Sequence, residues 1–148
     1  MEQKSQLESG FKIINLLLIE SNFKREEMVT FDQTKTENIV NVDVNVQVKD
    51  TTIFVTEKLD YTQKLGETIE ISAKIKMFGV FEKIGDTPLN LEEFGKVNGA
   101  AIIFPYIREQ LTNLSSKAGI GLIILPPFNF TKVKANQNSG QVELPQTK

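Results

Sequence analysis

Few side chains in this chain could do chemistry, and their spacing argues against catalysis. Neither histidine nor cysteine occurs among its 148 residues, which removes the commonest general base, the commonest zinc ligand and the thiolate nucleophile together. A Ser-His-Asp triad, a Cys-His dyad and an HExxH zinc site are excluded within the chain. Carboxylates remain, and the closest pairs, Glu26-Glu27 and Glu92-Glu93, are adjacent residues. Adjacent side chains on a strand or helix diverge, so neither pair converges on one substrate atom as an acid and its base must. Both read as solvated faces. Gly119-Ile120-Gly121 is the nearest approach to a phosphate loop. It lacks the third glycine of a dinucleotide site and the Lys-Ser/Thr of a P-loop, and it reads as a helix end. No enzyme activity, no cofactor and no metal are expected.

The bulk composition points the same way. Lys plus Arg total 17 and Asp plus Glu total 19, a net charge of −2, which leaves no basic footprint for nucleic acid. The first ten residues lack the apolar centre of a signal peptide. The longest apolar stretch, Ile13 to Ile19, is interrupted by Asn15 and falls far short of the roughly 20 residues of a membrane helix. The expectation is a cytoplasmic protein with no membrane insertion. A chain of this length makes one domain that hides roughly 70% of its unfolded surface.

The elements that carry these side chains follow from period. Val40, Val42, Val44, Val46 and Val48 alternate with Asn41, Asp43, Asn45 and Gln47, the pattern of a strand with one dry and one wet face. After a turn at Asp50-Thr51, Ile53, Val55, Leu59 and Tyr61 alternate with polar residues, Glu57 being the one lapse. Beyond a turn at Leu65-Gly66-Glu67, Ile69, Ile71, Ala73 and Ile75 alternate again. Upstream, Phe11 to Phe23 is strand-like, but Leu16 to Ile19 are consecutive apolar residues, which implies burial on both faces and a second subunit as the extra cover. Links this short leave no room for crossover helices, so the four strands are antiparallel.

The period then changes. Asp86-Thr87-Pro88 is a helix start, with Leu91, Phe94 and Val97 on one face. A second helix carries Phe104, Ile107, Leu111, Leu114 and Ala118 and closes at Gly119. The expected fold class is α+β, a four-stranded antiparallel sheet followed by helices packed on one face. Residues 1–10 are read as a flexible N-terminus, 11–130 as the single domain and 131–148 as a polar tail.

Periodicity alone makes the segment from Gly99 to Leu111 an amphipathic helix on a sheet. Its Phe104-Pro105-Tyr106-Ile107-Arg108-Glu109, followed by Leu125-Pro126-Pro127-Phe128-Asn129-Phe130, resembles the SecB family of export chaperones. Phe11-Lys12-Ile13 with Phe23, and Gly79-Val80-Phe81, line up as well. The likeness runs from about Phe11 to Phe130. It implies an activity without chemistry: an ATP-independent holdase, assembled as a homotetramer (a dimer of dimers), that binds unfolded or nascent polypeptide in apolar grooves. The client groove is expected between the sheet and the crossover and helix segments, lined by Phe78, Val80, Phe81, Phe94, Tyr106, Leu125, Phe128 and Phe130.

Two features depart from the family. Its members carry a second helix and an acidic tail after the Asn-Phe step, whereas here Lys132, Lys134 and Lys148 outnumber Glu143. Its acidic docking positions for the SecA translocase keep Glu20 here, but Lys24 and Lys74 stand where carboxylates are expected. Weak SecA docking follows, together with two alternatives: a dedicated chaperone of one client, such as the antitoxin of a toxin–antitoxin system, or a carrier of a small apolar ligand.

Overall fold

The computed structural model describes residues 10–85, 88, 90–132 and 139–143. Four long strands, β1 (Phe11–Arg25), β2 (Glu37–Lys49), β3 (Thr52–Leu65) and β4 (Thr68–Lys83), pair antiparallel as the alternation requires. The two hairpin turns use the residues that tolerate positive φ, Asp50 at 54° and Gly66 at 59°. The sheet order is β1-β4-β3-β2-β5, so the four expected strands gain a fifth, β5 (Ser139–Glu143), which pairs with Ile39 to Asp43 of β2. That strand falls in the stretch read from sequence as a tail.

The two expected helices are one helical run. α1 (Leu91–Phe94) passes through a π-helical stretch at Gly95–Gly99 into α2 (Ala100–Lys117), with Pro105 inside α2. The cap is Asn90, whose side chain accepts from the Glu93 N–H at 3.0 Å. The capping residues read from sequence, Asp86 and Thr87, lie outside the described residues. Gly119, at φ 70°, ends the run as expected.

The core lies between the helix and one sheet face. Ile53, Val55, Leu59 and Tyr61 of β3 and Ile71, Ala73, Ile75 and Phe81 of β4 meet Ile103, Ile107 and Leu111 of α2. Close approach needs glycine at two of these contacts. A Cβ at Gly79 would stand 2.9 Å from Ile103 Cδ1, and one at Gly95 would stand 2.6 Å from Val46 Cγ1.

Three sequence readings shift. Ile69, read as dry, is 49% exposed while Glu70, read as wet, is 4% exposed, because the β3–β4 register slips between Gln63 and Lys64. Glu57, the lapse in alternation, points into the core with 0% exposure. β1 is an edge strand with irregularities between Ile13 and Asn15 and between Leu18 and Glu20. They break strict alternation, so Ile13, Ile14, Leu17, Leu18 and Ile19 are each between 42% and 53% exposed.

Candidate functional site

A cavity of about 690 Å³ opens at the end of the sheet where β2 begins. Its walls come from four places: the β1–β2 connection, the inner face of β3 and β4, Arg108 of α2, and the extended segment after Gly119. Hydrogen bonds hold the loop wall and the segment after Gly119 in place. The Arg25 guanidinium donates to the Ala118 carbonyl at the end of α2 and to the Glu26 and Glu27 carbonyls. That satisfies a helix-terminal acceptor with a cation and ties the connection to the helix. The Glu70 carboxylate accepts from Thr30 N–H at 2.8 Å, and Gln63 Nε2 donates to Thr30 O at 3.1 Å. Two buried polar side chains of the sheet thus find their partners in the loop.

The opposite wall is anchored to α2. Ile123 N–H donates to Ser115 Oγ at 2.9 Å, and Thr112 Oγ1 donates to Ile123 O at 2.8 Å. Leu125 is buried, while its neighbours in the alternation, Leu122 and Ile124, are 61% and 70% exposed. Across the opening stands Phe31, 67% exposed. The lining is otherwise mixed. The Tyr61 hydroxyl donates to Asn38 Oδ1 at 3.3 Å, and burial pushes its pKa up to about 12, so it stays a neutral donor. Thr36, also in the wall, has a buried hydroxyl without a partner among the described residues. Such a site can hold an extended apolar segment with some polar contacts. Among the described residues that line it, no pair of groups has the geometry of an acid and a base.

The sequence-expected groove residues do not form one wall. Phe81 and Phe94 are buried and pack with Phe11, at ring separations of 6.3 Å and 4.3 Å from it. Phe128 and Phe130 cluster with Phe104, the rings between 4.6 Å and 5.9 Å apart; Tyr106 is 47% exposed. Phe78 and Val80 lie on the sheet face away from the helix, Phe78 stacked on Phe54 at 6.1 Å. They cannot share a wall with Phe81, because side chains alternate along β4 and Phe81 is on the inner face. Leu125 alone of the eight lines the cavity. The loop residues from Val29 to Thr36 escaped sequence reasoning, since no motif marks them.

Glu20, Lys24 and Lys74 share the outer face. Glu20 pairs with Lys76, Asn22 with Lys74 and Lys24 with Ser72 across the β1–β4 ladder, and Lys74 pairs with Asp60 of β3. The patch is of mixed charge.

The fold and site define a single-sheet protein whose one helical layer borders an apolar-mouthed cavity. The profile of a known family, described as preprotein translocase subunit SecB, matches residues 8–141. The chain belongs to the SecB family. A protein-export protein SecB of Chromobacterium violaceum is 26% identical over 149 residues, with 97% of each chain covered. An uncharacterized protein of Methanocaldococcus jannaschii, MJ0357, is 30% identical over 80 residues, 54% of this chain and 48% of that one. SecB of Saccharophagus degradans is 30% identical over 95 residues, 62% of this chain and 56% of its own. The chain thus spans about half the length of these last two relatives. Among solved structures, the Mycobacterium tuberculosis SecB-like chaperone Rv1957, in complex with a ChAD peptide from the HigA1 antitoxin, superposes with a TM-score of 0.66. The identity is 14%, with 80% of this chain and 90% of that chain covered.

Proposed function

We propose that this protein is an ATP-independent holdase that takes non-native polypeptide into the cavity beside β2. The observation that carries the reading is the exposed apolar rim, Phe31, Leu122 and Ile124, on segments whose backbones are pinned at Thr30 and Ile123. Large apolar side chains grouped at the mouth of a cavity mark an interaction surface, and an unfolded client brings apolar surface of its own. Binding the unfolded form withdraws it from aggregation by mass action. Leu122→Asp with Ile124→Asp should weaken suppression of client aggregation several-fold, with the fold intact because both side chains are exposed. Unchanged suppression by the folded double variant refutes the assignment.

The same reading extends to assembly and localisation. The protein works as a homotetramer, with the apolar edge strand β1 in one contact. Light scattering that finds a monomer at micromolar concentration counts against this. Among the described residues no helix is long and apolar enough to cross a membrane, in keeping with a cytoplasmic site of action.

The mixed charge around Glu20, Lys24 and Lys74 favours a second reading, a chaperone dedicated to one client such as an antitoxin and docking weakly to SecA. Like charges across an interface disfavour a basic partner tail. Titration with the host's SecA tail tests it: tight, salt-sensitive binding lost in Glu20→Lys returns the protein to general export.

A further inference from the structure

Arg108 stands out within the cavity. It lines the wall and is half-buried, yet its guanidinium has no hydrogen bond or ion pair among the described residues; its backbone carbonyl accepts from Thr112 Oγ1. Apart from threonine hydroxyls such as that of Thr36, the other polar side chains described in the wall are tied within it: Tyr61 to Asn38, Asn38 to Gln33, and Gln63 to Thr30. Among the described residues, no Asp or Glu is part of the lining. Among the described residues nothing pairs with the five N–H donors of this planar fork, which leaves them to solvent in a wall flanked by apolar residues. Any segment that fills the cavity displaces that solvent and must supply acceptor oxygens, or the guanidinium loses hydrogen bonds on binding.

We propose that Arg108 donates to main-chain carbonyl oxygens of the bound client, so that the cavity grips polypeptide by its backbone. This rests on the holdase reading and assigns the chemistry of its central contact. A client segment that matches the apolar flanks is itself apolar, and the acceptor oxygens such a segment carries are its own carbonyls. They recur at every residue whatever the sequence, which suits a site that takes unrelated clients. The guanidinium fork spans two acceptors at once, and a charged donor makes the contact stronger than a neutral one would.

The test uses three unrelated uncharged nonapeptides, acetylated and amidated, titrated by fluorescence anisotropy against the full-length wild type and Arg108→Met. The substitution should raise Kd about tenfold for all three, equivalent to about 1.4 kcal/mol, with little dependence on salt. In an ester scan of one peptide, at least one amide-to-ester replacement should weaken binding to the wild type but not to Arg108→Met. That cycle separates a direct contact from a merely structural role. Equal affinity of wild type and variant, or an ester scan flat at every position on the wild type, overturns the proposal, and a flat scan does so even if Arg108→Met fails to fold. A Glu-containing peptide binding tenfold tighter than its Gln twin overturns it in favour of carboxylate recognition. If no peptide binds the wild type, the holdase reading itself has failed.

Discussion

Glu57 offers the sharpest test of the fold. Its side chain is 0% exposed between Val55 and Leu59 of β3, opposite Val44 and Met77, and both carboxyl oxygens lack a partner among the described residues. Burial pushes its pKa from 4.5 up to about 9. The folded state thus holds a proton that the unfolded chain releases above pH 4.5. The stability this group permits is fully present below that value and is lost as pH rises toward 9, by about 1.4 kcal/mol for each pH unit. At pH 7 the accumulated loss is roughly 3 kcal/mol, a large share of a domain's net stability. Glu57→Gln keeps the shape and removes the titration, while Glu57→Leu also removes the two unpaired oxygens. Urea unfolding at pH 5, 7 and 9 and fixed protein concentration should show both variants gaining on the wild type at each step. Glu57→Leu should be the more stable of the two at every pH. Tyr61, raised to about 12, does not titrate in this window. Parallel wild-type and Glu57→Gln profiles from pH 5 to 9 would show that the carboxylate is solvated or paired, and would refute the burial argument.

Other contacts make narrower predictions. Gly95→Ala sets a Cβ against Val46 and Ile53 and should cost about 1–3 kcal/mol in urea unfolding; Val46→Ala in the same chain should restore part of it, and strict additivity of the two would deny the close approach. Ser115→Ala strips the acceptor from the Ile123 N–H, a loss of about 1–3 kcal/mol, and hydrogen exchange at Ile123 should speed up while exchange along β3 holds. Glu70→Ala removes the acceptor of Thr30 N–H, so limited proteolysis should cut within residues 26–36 before the sheet unfolds. Unaltered cleavage there would mean that the connection is held by something else.

Part of the site was within reach of the sequence. The parity that makes Ile71, Ala73 and Ile75 dry continues to Phe81, and it assigns Phe78 and Val80 to the opposite face. Placing Phe78, Val80 and Phe81 together in one groove therefore merges two faces of β4. The lapse at Glu57 was visible in the alternation as well, but its burial depended on the helix above it.

What the sequence determined by itself was therefore what neighbours in the chain determine: four strands from period 2, the hairpin turns at Asp50 and Gly66, the helix stop at Gly119, and the absence of histidine and cysteine chemistry. Tertiary structure decided the rest. β5, with Gly140 inside it and one β-branched residue, becomes a strand through the unpaired edge of β2. The π-helical stretch joins two expected helices where Gly95 and Gly99 let the backbone approach Val46 and Val55. The cavity exists because Glu70 and Gln63 reach Thr30 across a separation of 30 to 40 residues, and because Arg25 reaches Ala118 across 93. Alternation records which face of an element is dry, a property of local geometry and solvent. It does not record which distant donor will meet which acceptor, because that partner is chosen only when the packed layers bring the two together.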